Sequence, residues 1–225
     1  MIAEDARSAD IIKPVLRGKD IQRYRAQWAG RWLIDAHNGY GSVPAVDIGE
    51  YPAIKTYLDE FYPQLERRQD KGRTPYNLRN CAYHAVFNKE KLFWMDMSDR
   101  GRFAYSDLEM YCNDKGFMMT GKSLKYLCAV LNSTVVTWFV RNTALTTGAG
   151  LTQWKKFAVE RLPIPEISIA KQRPFVRLLD GILEAKDADP EVDTTELEAE
   201  IDRLLYQLYG LTAGEVLTVE GRTLP

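Results

Sequence analysis

The chain has 225 residues, of which 45% are hydrophobic, 11% aromatic and 27% charged, with 15 Gly and 10 Pro. This is ordinary globular usage; it excludes a disordered, collagen-like or purely coiled-coil chain and leaves room for one sizeable core with an appendage. Thirty Lys and Arg against 31 Asp and Glu give a net charge of −1, so no global basic field advertises a nucleic-acid binder.

In chain order, residues 1–5 lack the basic and apolar regions of a secretion signal. Residues 30–35 have the aromatic and branched content of a strand, and the Gly and Pro cluster over 39–44 reads as a loop. Ile54, Tyr57, Leu58, Phe61 and Leu65 follow helical spacing from Pro52, with Pro63 predicted to kink or end the helix. Residues 67–79 are polar and punctuated by Gly72 and Pro75, which predicts an exposed loop. Short aromatic and branched runs over 81–87, 91–97 and 117–120 predict a small mixed or antiparallel sheet. Leu124, Leu127, Cys128, Leu131, Val135, Trp138 and Phe139 share one face, which predicts a single buried helix over 123–141.

Residues 146–150 read as a flexible loop, and residues 162–165 must be extended because each Pro pushes its predecessor out of the helical region. Phe175, Leu178, Leu179, Ile182 and Leu183 form one helical stripe; Leu197, Ile201, Leu204, Leu205 and Leu208 form the next. The second of these helices is expected to start with a capping box at Thr195 and Glu198 and to stop at Gly210. A final short helix is expected from Thr212 with Glu215. The expected fold class is α+β: a small sheet with packed helices over 1–165, followed by a helical segment over 166–225 that packs on it.

Charge is unevenly distributed. Residues 184–202 hold nine acids and one base, leaving 29 bases against 22 acids elsewhere, and residues 67–91 carry seven bases against Asp70 and Glu90. The acidic helices cannot comfortably lie on phosphates and are assigned to packing. Cys81, Cys112 and Cys128 are odd in number and widely spaced, as free thiols in a cytoplasmic protein are. The most apolar stretch is too short to span a membrane. His37 and His84 are far apart, with no CxxC and no nucleophile signature, which argues against metal binding and hydrolase chemistry. Gly148, Ala149 and Gly150 match a phosphate loop only weakly, and Glu184 with Lys186 is a solvated helix face rather than a nuclease site.

What survives is a run of cations, amides and aromatics. Lys71, Arg73, Tyr76, Asn77 and Arg79 are the first candidates for a DNA face, with Arg67 and Arg68 beside them. Lys89, Lys91, Gln153, Lys155 and Lys156 come second. Arg and Lys suit phosphate oxygens and guanine edges, and Asn and Gln suit adenine edges.

Several phrases of the sequence resemble the C-terminal specificity domain of TaqI-like adenine DNA methyltransferases and of the fused restriction-modification enzymes built on them. They are residues 11–21, 51–55, 65–68, 76–81, Leu131-Asn132-Ser133 with Trp138, 162–165, Glu200-Ile201-Asp202 and 208–212. The resemblance implies a target recognition domain that clamps double-stranded DNA while a methyltransferase catalytic domain or subunit flips and methylates adenine. No Asn/Asp-Pro-Pro-Tyr/Phe tetrapeptide and no S-adenosylmethionine glycine motif occurs, so catalysis and that cofactor are expected in a missing partner segment. Whether the parent also cleaves DNA stays open. The rival reading is a protein-interaction scaffold that recruits a methyltransferase or restriction subunit through its helical tail.

Overall fold

The computed structural model describes residues 1–147 and 150–222. The glycine loop expected over 146–150 therefore lies partly outside the described residues, at Gly148 and Ala149. In chain order the elements are β1 Ile12–Leu16, β2 Tyr24–Arg25, β3 Trp32–Ile34, α1 Pro52–Asp59, α2 Tyr62–Arg67, β4 Lys91–Met95, β5 Met97–Ser98, β6 Phe103–Ser106, β7 Tyr111–Cys112, β8 Gly116–Met119, α3 Leu124–Leu131, α4 Thr134–Thr143, β9 Thr152–Gln153, α5 Lys156–Val159, α6 Ile169–Ala188, α7 Thr195–Tyr209 and α8 Ala213–Val219. Helices and short mixed strands coexist as the α+β expectation required.

The chain divides into two interleaved compact units. The first comprises Met1–Val15, Gly30–Lys89 and Leu108–Tyr111; the second comprises Leu16–Ala29, Glu90–Asp107 and Cys112–Pro225.

In the second unit a four-stranded mixed sheet runs in the order β2-β6-β4-β8, with β4 antiparallel to both neighbours and β2 parallel to β6. Residues Lys91 to Trp94 of β4 are all buried, which is why that stretch reads as a nearly continuous apolar run instead of an alternating one. Leu92, Trp94 and Phe103 share one core with Leu131 of α3, Leu179 of α6 and Leu205 of α7. Burying each such side chain contributes roughly 1.5–3 kcal/mol. Trp154 seals the core: its backbone N–H donates to Asp96 O at 2.7 Å, and Trp94 Nε1 donates to its carbonyl at 2.7 Å.

The single helix expected over 123–141 is two helices. Asn132, buried at the break, pairs with the backbone of Phe103, donating to its carbonyl at 2.8 Å and accepting from its N–H at 3.0 Å. Ser133 then caps α4, its hydroxyl accepting from Val136 N–H at 3.3 Å. The capping box expected at Thr195 and Glu198 does not form: Thr194 holds the cap position without a side-chain cap bond, its hydroxyl donating to Glu198 instead, while Thr195 N–H donates to Asp193. Gly210 ends α7 in the left-handed region at φ +68°, and the Thr212–Glu215 capping box opens α8 as expected.

In the first unit β1 pairs antiparallel with β3, setting Ile12 opposite Ile34. Ile11, Ile48 and Ile54 form the local core. Pro63 starts a second helix, α2, instead of kinking the first, because proline at the first turn lacks only a donor that would be orphaned anyway. Residues 81–87, expected to be extended, hold a 3-10 turn over His84–Val86, which buries His84 and Phe87 against Tyr111.

Candidate functional site

The basic loop that follows α2 is folded back on itself. Lys71 bridges Leu78, Gly72 N–H donates to Asn77 O at 2.9 Å, and Leu78 N–H donates to Ala36 O at 2.8 Å. Backbone donors and acceptors that would otherwise need water are thereby paired, and the loop holds one shape. Position 72 has to be glycine, since a Cβ there would lie 2.4 Å from Leu78 O and 2.6 Å from Asn38 Oδ1.

The structure separates the expected site residues into holders and presenters. Asn77 is a holder: it is 1% exposed, donates to Val46 O at 2.9 Å and His37 O at 3.3 Å, and accepts from the Thr74 hydroxyl at 2.6 Å. An amide with those bonds has no free edge for a base in this conformation, which corrects the expectation. Arg68 likewise turns inward, donating to the carbonyls of Pro75 and Asn77. Tyr76 donates its hydroxyl to Asp59, whose carboxyl is held below the ordinary range by Lys55 and then by Tyr76. Lys91 is fully buried on β4 of the second unit, its Nζ 5.8 Å from the Phe93 ring centroid, in a strand covered on both faces over residues 91–94.

The presenters are Arg67, Lys71, Arg73, Arg79 and Lys89, all exposed on the first unit. Lys71 Nζ donates to Glu66 O at 2.6 Å, and Arg79 lies 3.7 Å from the exposed carboxylate of Asp70. Lys71, Arg73 and Arg79 line one depression, together with Asn38 and Asn80. Arg67 and Lys89 are exposed but do not line it. Gln153, Lys155 and Lys156 belong to the second unit. Gln153 pairs opposite Met97, Lys155 precedes α5 half-buried, and exposed Lys156 lies 3.6 Å from Glu160.

Asn38, Tyr40 and Asn80 were not singled out in the sequence, although amides and an aromatic beside basic residues are base-edge chemistry. With Arg73 they line a second, adjoining shallow depression of about 830 Å³. Tyr40 is held there by a tight turn, exchanging backbone hydrogen bonds with Val43 at 3.0 and 2.9 Å. Its ring stacks on His84 at 4.1 Å; His84 Nε2 lies 2.8 Å from Asp35, which also accepts from the Tyr111 hydroxyl at 3.0 Å. The chain of contacts ties the wall of the depression to the unit's interior.

A depression in the second unit is chemically different. It is lined by Gln22, Arg23, Arg25 and Lys186, but Arg25 pairs with Asp187 at 2.7 Å and Arg23 with Glu198 at 2.6 Å. Lys125 pairs with Asp180 at 2.6 Å. The acids of α6 and α7 thus neutralise basic side chains of their own unit. Among the described residues no three His, Cys, Asp or Glu side chains converge as a metal site requires, and no helix is long and apolar enough to cross a membrane.

The sequence model of the TaqI-like C-terminal specificity domain matches residues 13–164. Two curated relatives, the type II methyltransferases M.XhoI of Xanthomonas vasicola and M.PaeR7I of Pseudomonas aeruginosa, are each 24% identical over 207 residues. The match covers 90% of this chain but 36% and 34% of theirs, so the chain spans about a third of the length of these relatives. Among solved structures, the type IIL restriction-modification enzyme MmeI in complex with DNA has the same fold over 94% of this chain and 30% of that one, with a TM-score of 0.67 at 12% identity.

Proposed function

The chain belongs to the TaqI-like C-terminal specificity domain family, and from that premise we propose that it grips duplex DNA and reads base edges in the major groove for a larger restriction-modification methyltransferase. Methylation of adenine, with S-adenosylmethionine and base flipping, is the work of a separate catalytic segment or subunit. The working compartment is then the cytoplasm, where the DNA is.

The observation that carries this reading is the convergence of Lys71, Arg73 and Arg79 on one depression with two asparagines, where among the described residues the one carboxylate paired with these cations is exposed Asp70, 3.7 Å from Arg79. Lys and Arg contacts to phosphate supply most of the affinity and set the register, while amides and guanidinium groups discriminate base edges. Arg67 and Lys89 extend the phosphate-binding surface, and Gln153, Lys155 and Lys156 form a second DNA-binding region on the other unit. Tyr76, Arg68 and Asn77 act by shaping the loop. Recognition is assigned to residues 1–165, and residues 166–225 pack, their acids Asp180, Asp187 and Glu198 being engaged by Lys125, Arg25 and Arg23.

The test is the salt dependence of duplex binding by the full chain. Removing one cation from a phosphate lowers the slope of log K against log salt by about 0.9. The combined change Lys71→Ala, Arg73→Ala and Arg79→Ala should flatten that slope by about 2 to 3, whereas Arg25→Ala, which removes a cation already paired with Asp187, should leave it within about 0.5. Unchanged DNA binding by the triple variant, with abolished association to a methyltransferase subunit, would instead support a scaffold.

A further inference from the structure

The chemical identity of the reading edge follows from one chain of hydrogen bonds. The backbone N–H of Arg73 can only donate, so the Asn38 side-chain atom 2.5 Å from it must be the carbonyl oxygen. The other end of the Asn38 amide is then its amino group, and it donates to Asn80 Oδ1. The backbone donor thus fixes the orientation of both side-chain amides. Asn80 is left with its oxygen engaged and its amino group without a protein partner among the described residues. The Arg73 guanidinium, exposed beside it, also has no partner among them.

We propose that Asn38 locks Asn80 so that Asn80 and Arg73 present hydrogen-bond donors to the DNA, which makes this depression a reader of guanine. Guanine offers two acceptors in the major groove, N7 and O6, whereas adenine sets an amino donor beside its N7 and cytosine offers a donor. A donor-only edge fits both guanine acceptors, meets like with like at adenine and cytosine, and finds at thymine the single acceptor O4 beside a methyl group. Gly72 lets Asn38 approach the loop closely, and the Tyr40 turn, stacked on His84, walls the adjoining depression. Asn38 is a positioning residue, and Asn80 with Arg73 determines specificity. The inference rests on the reading of this chain as a DNA-binding domain.

The test selects the full-length chain and its variants against a pool of randomised duplexes and sequences what is retained. The wild-type chain should enrich a motif containing guanine, and Asn80→Ala should lower the preference for guanine at one position by about tenfold while sparing the others. Asn38→Asp still accepts from the Arg73 N–H but cannot donate. The Asn80 amino group must then turn to the new carboxylate and leave its oxygen facing the groove. Preference at the same position should move to adenine or cytosine, which carry amino donors. A merely structural Asn38 would lower affinity or stability without changing the base chosen. Should Asn38→Asp fail to fold, Asn80→Ala decides alone. A wild-type motif retained by Asn80→Ala, or an even weakening at all positions, overturns the inference while leaving DNA reading intact. A wild-type chain that enriches no motif removes both together.

Discussion

Replacing Asn77 with alanine removes four hydrogen bonds, the longest of them to Ala36 O at 3.5 Å, from a side chain that is 1% exposed. Its amino group donates to Val46 O at 2.9 Å and His37 O at 3.3 Å, and its oxygen accepts from the Thr74 hydroxyl at 2.6 Å. A hydrogen bond contributes about 0.5–1.5 kcal/mol net, and a buried partner left unpaired costs about 1–3 kcal/mol. Thr74 is exposed and can turn to water, and His37 O keeps the Val46 N–H at 3.0 Å, so the cost falls chiefly on the Val46 carbonyl. The sum is about 2 to 3 kcal/mol, which urea unfolding at unchanged m-value would report. Because the same loop presents Lys71, Arg73 and Arg79, affinity for all duplexes should fall evenly. If stability instead changed by less than about 0.5 kcal/mol, the size of an ordinary surface substitution, while the preferred base changed at one position, Asn77 would be a DNA contact and its assignment as a holder would be wrong.

Gly72→Ala would place a Cβ 2.4 Å from the Leu78 carbonyl, a backbone atom that cannot swing aside. The loop must open, and thermal unfolding should show a loss of more than about 1 kcal/mol together with weaker duplex binding. Asp20 accepts from the Arg17 side chain at 3.0 and 2.8 Å and from the Arg17 N–H at 2.8 Å, and the Arg17 guanidinium holds its carboxyl below the ordinary value of 3.8. A carboxylate depressed in the folded state contributes stability that is fully present above pH 3.8 and is lost as pH falls through the folded value. Asp20→Asn should therefore lower stability at neutral pH and flatten the acid limb of a stability curve below about pH 4. An unchanged limb would show that the Arg17 pair does not shape acid unfolding.

The helices of the tail are legible in the sequence because their information is local: apolar residues at helical spacing and the Thr212–Glu215 capping box lie within a few residues of one another. So is the basic character of the loop after residue 67, since charge is read directly from residue types. Pro63 is ambiguous because a proline can end one helix or begin the next, and only the surrounding turn distinguishes the two. The strand expected over 81–87 fails because His84 and Phe87 satisfy themselves against Asp35 and Tyr111 rather than against a neighbouring strand.

What the chain order by itself determined was class, charge segregation and the family to which these phrases belong, all of them properties of residue type and short spacing. Tertiary structure decided which basic and amide groups face outward. Asn77 is buried by carbonyls about 30 to 40 positions away, Asn38 meets Asn80 across a gap of 42, and Asn132 breaks a helix to pair with Phe103, 29 positions earlier. Such partners satisfy polar groups that folding removes from water. No local pattern announces them, because a backbone carbonyl has the same chemistry at every position and only the packed chain brings one within reach.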